Sequence, residues 1–134
     1  MTRYLLDVSA LVALGFEKHE FFERVVSWVQ GLRPGEDEFG TCAITELGFV
    51  RVLAHPQYGF SVDESKTSLL RLKSSGEIGF VFLADDQDAL RLPGWVRMPK
   101  QVTDGHLVQL ARANGAVLAT LDRGIPGAFL IPGQ

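Results

Sequence analysis

Tyr4-Leu5-Leu6-Asp7-Val8-Ser9-Ala10-Leu11-Val12-Ala13-Leu14 is the stretch on which the fold turns. Tyr4 to Asp7 is apolar up to its last residue, which predicts a short strand buried on both sides. Ser9 to Leu14 is helical by composition, with Ser9 near the cap position. A strand with no polar face that passes at once into a helix belongs to a parallel sheet covered on both sides.

The same alternation runs through the rest of the chain. A helix is expected from about His19 to Leu32, with Phe22, Val25, Val26 and Val29 at helical spacing. Pro34 to Glu38 reads as a solvated acidic loop. Thr41-Cys42-Ala43 reads as a second strand, followed by a helix from Ile44 to Ala54 that Pro56 and Gly59 close off. Ser61 or Asp63 caps a helix through Ser74. Ile78 to Leu83 is extended and aromatic, a third strand. Asp85-Asp86-Gln87-Asp88 has the acids of a helix start. Thr103 caps a helix from Asp104 to Asn114, which Gly115 ends. Ala116 to Thr120 is a buried strand running to Asp122, and Ala128 to Ile131 a final short edge strand. The expected architecture is α/β, a three-layer domain over residues 1–134 with a short parallel sheet flanked by helices.

Composition narrows the class. With 134 residues, 46% of them hydrophobic, the chain can bury a core of its own. A net charge of −3 gives no overall basic field for nucleic acid, although the acids of a metal site would account for part of it. The single cysteine, Cys42, excludes an internal disulfide, and His19, His55 and His106 are too scattered for a zinc motif. No apolar run is long enough to span a bilayer, and Met1 to Leu6 reaches Asp7 before a signal-peptide core can form, so a cytoplasmic protein is expected.

Four carboxylates, Asp7, Glu46, Asp104 and Asp122, stand where a predicted strand hands over to a helix or loop. In an α/β sheet those points converge on one edge, where ligands bind. Each acid alone has an ordinary use: Asp7 and Asp104 suit helix starts, and Asp122 suits a turn. Glu46 is more telling. It shares a helical face with Val50 and Leu53, an otherwise apolar face on which a carboxylate needs a partner. Four acids gathered together repel one another unless a cation lies between them, and Mg²⁺ is a cation that carboxylates and water hold.

The combination resembles the PIN-domain nucleases, and among them the VapC toxins of bacterial toxin–antitoxin pairs. Leu5-Leu6-Asp7-Val8-Ser9-Ala10-Leu11 is similar to the family's opening motif, and Thr45 to Leu53 to the segment carrying its glutamate. Thr103-Asp104-Gly105-His106-Leu107 is similar to the block with the third acid, and Ala119-Thr120-Leu121-Asp122-Arg123 to the closing Thr-x-Asp signature. The resemblance implies a ribonuclease in which Asp7, Glu46, Asp104 and Asp122 hold Mg²⁺ or Mn²⁺ and metal-activated water attacks an RNA phosphodiester. Asp7 and Asp104 are the expected direct ligands. Ser9, Thr120 and Arg123 are supporting candidates, Arg123 toward phosphate and Thr120 toward the acids. It further implies a homodimer and a cognate VapB-like antitoxin covering the acidic pocket.

Two other readings compete. A receiver-like phosphoacceptor domain also gathers acids and Mg²⁺ at strand ends, but needs a lysine where this chain has Asp122. A non-catalytic interaction module would use the same acids only as caps. His106, two positions from Asp104, points to another side of its helix and reads as a surface or interface residue. Trp28 and Trp95 read as core or subunit-contact residues.

Overall fold

The computed structural model describes residues 1–133. Among these, five strands and five α-helices follow in the order β1 (Thr2–Leu6), α1 (Val8–Gly15), α2 (Phe22–Gln30), β2 (Asp37–Thr41), α3 (Ala43–Leu53), α4 (Val62–Ser75), β3 (Gly79–Phe82), α5 (Val102–Ala113), β4 (Val117–Thr120) and β5 (Phe129–Leu130). The strands form one sheet in the order β3-β2-β1-β4-β5, every neighbouring pair parallel.

Side-chain alternation along each strand splits the core into two layers. Leu6 and Ala119 face α1 to α4, joining Leu11, Val25, Phe49 and Leu53. Their neighbours Leu5 and Leu118 face the other way, onto Leu107, Leu110 and Ala111 of α5. Helices therefore cover both faces, as strands without a polar side require. Trp28 belongs to the first layer, its ring edge-on to Tyr4 at 5.0 Å and tilted against Phe39 and Phe129. Trp95 packs on the second.

Several local expectations shift. Asp37 and Glu38 lie in β2 rather than in a loop, because Glu38 is in register with Arg3 of β1 and forms an ion pair with it. The strand expected at residues 41–43 ends at Thr41, since Thr45 Oγ1 accepts the Cys42 N–H at 3.0 Å and turns the chain into α3. Helix α2 starts at Phe22 instead of His19, whose Nδ1 accepts the Phe21 N–H. Asp85 to Asp88 opens only a single 3₁₀ turn, Ala89–Arg91, capped by Asp88. Thr103 is not a cap. A 3₁₀ turn over Pro99–Gln101 runs straight into α5, with the Gln101 side chain accepting the Arg97 and Met98 N–H groups. Ser61 does cap α4, in a reciprocal box with Glu64. No helix of the described residues is long and apolar enough to cross a membrane.

Candidate active site

The strand order reverses direction between β1 and β4: from β1 the sheet grows through β2 and β3 on one side, and through β4 and β5 on the other. A crevice opens at such a switch point, beyond the carboxyl ends of the two strands. Asp7 follows β1 and Asp122 lies just beyond β4, so both stand at that crevice. Asp104 joins them from the first turn of α5. The three carboxylates line one cleft of about 340 Å³, with Ser9, Val12, His19, Val52 and Tyr58 among its other walls.

Asp7 is the most constrained of the three. Its N–H donates to the Ala119 carbonyl at 3.1 Å, continuing the β1–β4 ladder by one rung. Its Oδ1 caps α1 by accepting the Ala10 N–H at 2.9 Å, and the Ser9 hydroxyl donates to the same oxygen at 3.1 Å. The cap is thus Asp7, with Ser9 assisting it. The Thr120 hydroxyl also bonds the Asp7 carboxylate, while Thr120 Oγ1 accepts the Asp122 N–H at 3.0 Å. Thr120 is fully buried, and it ties the two acids of the adjacent strands together.

Burial pushes the Asp7 carboxyl above the usual carboxylate range. Hydrogen bonds from Thr120, Ala10 and Ser9 oppose the shift, and the charge of Asp122 adds to it. Asp104 is raised for the same two reasons, desolvation first and then Asp122. Removal from water and like-charge repulsion both favour adding a proton or a cation here.

Glu46 faces elsewhere. Its Oε2 accepts from Thr41 Oγ1 at 2.6 Å and from Lys73 Nζ at 2.6 Å. This ion pair with α4 supplies the partner that the apolar face of α3 demands. The structure thus brings Asp7, Asp104 and Asp122 together and sets Glu46 against Lys73. Arg123 is exposed beyond Asp122 and makes no ion pair with a described residue. His106 turns from the cleft to Asp85, pairing Nε2 with the carboxylate. Burial works against the Asp85 charge, yet the bonds from His106 and the Gln87 N–H hold that carboxyl below its usual range.

Three cleft residues escape sequence reading: His19, Val52 and Tyr58. His19 precedes α2 and Tyr58 follows α3, so only the tertiary fold brings them together. The one local hint is Tyr58 itself, a large aromatic in the turn between Pro56 and Gly59 where neither helix nor strand calls for one.

The donor set suits a hard divalent cation: carboxylate oxygens with a hydroxyl beside them and neither thiolate nor imidazole on the acid side. Among the described residues, no three carboxylate, imidazole or thiol groups close around a single point. An open arrangement is compatible with Mg²⁺, which keeps several waters and takes one or two protein carboxylates.

No protein-family model matches the chain. Among curated proteins, Ribonuclease VapC38 of Mycobacterium tuberculosis is 36% identical over 129 residues, covering 90% of this chain and 86% of that protein. Among solved structures, the fold is similar to that of Mycobacterium tuberculosis VapC20, a sarcin–ricin-loop-cleaving toxin. The TM-score is 0.65 at 11% identity, over 98% of this chain and 99% of that one. It is also similar to a chain of VapBC2 from Rickettsia felis, solved bound to a DNA fragment from their promoter. There the TM-score is 0.59 at 11% identity, over 96% and 97% of the two chains.

Proposed function

The chain belongs to the VapC ribonuclease family, and we propose on that premise that it is a toxin that hydrolyses RNA phosphodiesters at the cleft of Asp7, Asp104 and Asp122. The observation that carries this reading is the convergence of those acids at the switch point between β1 and β4. Mg²⁺ or Mn²⁺ would be held by Asp7 and Asp104, with Asp122 beside them and Glu46 joining once released from Lys73. When bound, such an ion supplies Lewis-acid stabilisation of charge on phosphoryl oxygens and lowers the pKa of water.

The chain's own residues have separable tasks. Asp7 is fixed by the α1 cap, Ser9 and Thr120, so its carboxylate needs little reorganisation to receive a cation. Asp122 raises the cost of charging both neighbours, which favours a cation in the cleft that lowers that cost. Arg123, exposed and next to Asp122 in the chain, would be the residue to meet phosphate. The partners on this reading are RNA, a second copy of the chain, and a VapB-like antitoxin, in the cytoplasm. Support for the antitoxin comes from the structural likeness to a chain solved within a VapBC pair.

The test is RNA cleavage by the purified protein with and without Mn²⁺, mapped by sequencing 5′ ends. Cleavage should need the cation and vanish in Asp7→Ala and Asp104→Ala. Cutting at the wild-type rate by Asp7→Ala, or in excess chelator, would overturn the assignment.

A further inference from the structure

The acid cleft does not end at its carboxylates. His19 and Tyr58 also line it, and the same two residues line a neighbouring hollow of about 280 Å³ that no acid of the cleft reaches, completed by Phe16, Lys18, Glu20 and Gln57. The cleft lining also includes the apolar Val52, with Val12 buried behind it. Such a surface offers a phosphate nothing, but suits the flat face of a base.

The aromatic residues at the junction are held in place. The Tyr58 ring is edge-on to Phe16 at 5.1 Å, and Phe16 in turn is edge-on to Phe60 at 6.0 Å. His19 Nδ1 accepts the Phe21 N–H at 3.0 Å, which fixes the ring and leaves Nε2 as the protonated nitrogen of the neutral form. Burial keeps His19 below the ordinary imidazole range against the opposing pull of Glu20, so at neutral pH the ring is uncharged.

Around these rings the polar ends are unengaged. The side chains of Lys18 and Gln57 and the Tyr58 hydroxyl make no hydrogen bond or ion pair with a described residue. Lys18 and Glu20 oppose each other in charge, so the hollow has no net charge with which to hold a phosphate. It offers instead rigid rings, an amide that both donates and accepts, a carboxylate acceptor and an imidazole N–H. Such a mixture reads the edge of a base that has been taken out of its stack.

We propose that this hollow is a specificity subsite for one unpaired nucleobase of RNA, the base adjoining the scissile phosphate, stacked on Tyr58 and read at its edge by Gln57. The subsite rests on the ribonuclease reading of the neighbouring cleft. Its consequence is that the chain selects a base beside the cut, in single-stranded or looped RNA, with residues that take no part in holding a metal.

The experiment compares the full-length wild type, Tyr58→Ala, Tyr58→Leu, Gln57→Ala and Asp104→Asn. The substrates are total RNA, read by 5′-end sequencing, and a short single-stranded RNA containing the preferred cut site, with and without an abasic nucleotide beside the cut. The wild type should show a base preference at one flanking position. Tyr58→Leu, which keeps apolar bulk against Phe16, should lose about 10-fold in kcat/KM, chiefly through KM, from the loss of stacking on one base. Gln57→Ala, at an exposed position, should alter the base preference with a smaller change in rate. The abasic substrate should cost the wild type a similar factor and cost the Tyr58 variants nothing more, since partners in one contact do not add. Melting temperatures separate misfolding of Tyr58→Ala from loss of stacking. Unchanged base preference in all three variants, or additive effects of Tyr58→Leu and the abasic nucleotide, would overturn the subsite while leaving the nuclease intact. Wild type indistinguishable from Asp104→Asn on every RNA would instead overturn the ribonuclease reading, and the subsite with it.

Discussion

Lys73 Nζ and Glu46 Oε2 stand 2.6 Å apart, both side chains about three-quarters withdrawn from solvent, and Thr41 Oγ1 bonds the same carboxylate oxygen. This contact ties α4 to α3 and holds the one family-matched acid that does not line the acid cleft. Lys73→Ala should therefore do two things. Stability should fall by about 1 kcal/mol, the size of a partly exposed pair, seen as a lower melting temperature. Mn²⁺ affinity, by calorimetric titration, should rise, because a positive charge is removed and Glu46 is freed to turn toward the cleft. In a Glu46→Gln background the gain should vanish. Unchanged affinity in Lys73→Ala would mean that Glu46 has no electrostatic reach into the cleft.

The acid cleft sets a pH dependence for the metal-free protein. Asp7 and Asp104 have folded pKa values raised above their unfolded ones. Their contribution to stability is fully present below the ordinary carboxylate value near 4 and is lost as pH rises through the raised folded values. Asp85, held low by His106, runs the other way and is lost only at more acid pH. The contribution of these two acids to the melting temperature of apo protein should thus fall as pH rises from about 4 through their raised folded values. Asp104→Asn should flatten that slope and raise the neutral-pH stability by under about 1 kcal/mol, because the site is partly solvated. A melting curve independent of pH over this window would count against the repulsion.

Metal should reverse that trend. Binding to the folded state alone stabilises by about 2.7 kcal/mol when the ion is at 100 times its dissociation constant. The melting temperature should climb with Mn²⁺ at neutral pH and climb less at pH 5, where protons compete for Asp7 and Asp104. Asp104→Asn should remove most of the gain. A melting point indifferent to millimolar Mn²⁺ would defeat the proposed ligand set.

The centre of the sheet was legible because β4 and the end of β1 form buried apolar runs, whereas most of β2, with Asp37 and Glu38, read as a loop. Leu5, Leu6, Leu118 and Ala119 are all fully buried, and only a two-faced parallel sheet buries every residue of a run. The ends of elements were less so. Thr103 and Ser9 have the chemistry of caps, yet Gln101 and Asp7 stand at the two helix starts, since the preceding backbone decides which residue occupies the boundary. The acids Asp7, Asp104 and Asp122 could be placed because each is tied to the end of a periodic element. The partner of Glu46 could not: Lys73 lies 27 residues on, on a helix whose rotation no local pattern states. Tyr58 and His19 were hidden for the same reason.

Gly105 ties the site to the loop before α5. A Cβ there would stand 2.2 Å from Val96 Cγ2, so the first turn of α5 sits against Val96 with no room for a methyl group. Gly105→Ala should cost about 1–3 kcal/mol from overpacking and shift Asp104, its neighbour in the chain. Denaturant melts should show the loss, and Mn²⁺ affinity should drop along with it. Val96→Ala in the same chain should restore part of both, because it vacates the space the new methyl needs. Full wild-type stability in Gly105→Ala would show that the loop yields freely.

Thr120 gives the sharpest separation between fold and function. Its hydroxyl bonds the Asp7 carboxylate while its oxygen accepts the Asp122 N–H, all within a buried position at the end of β4. Valine has nearly the same shape and lacks both interactions. Thr120→Val should leave the core packing intact yet strand the Asp122 N–H and leave the Asp7 carboxylate with only its Ala10 and Ser9 bonds, a cost of about 1–3 kcal/mol. With one of its stabilising hydrogen bonds gone, the Asp7 carboxyl should rise further, so the pH at which Mn²⁺ binds should move upward. Thr120→Ser, which keeps the hydroxyl and loses only a methyl, should retain the wild-type pH profile of Mn²⁺ binding despite some loss of stability. If Thr120→Val and Thr120→Ser share one profile, the hydroxyl is not what sets Asp7, and its role is packing alone.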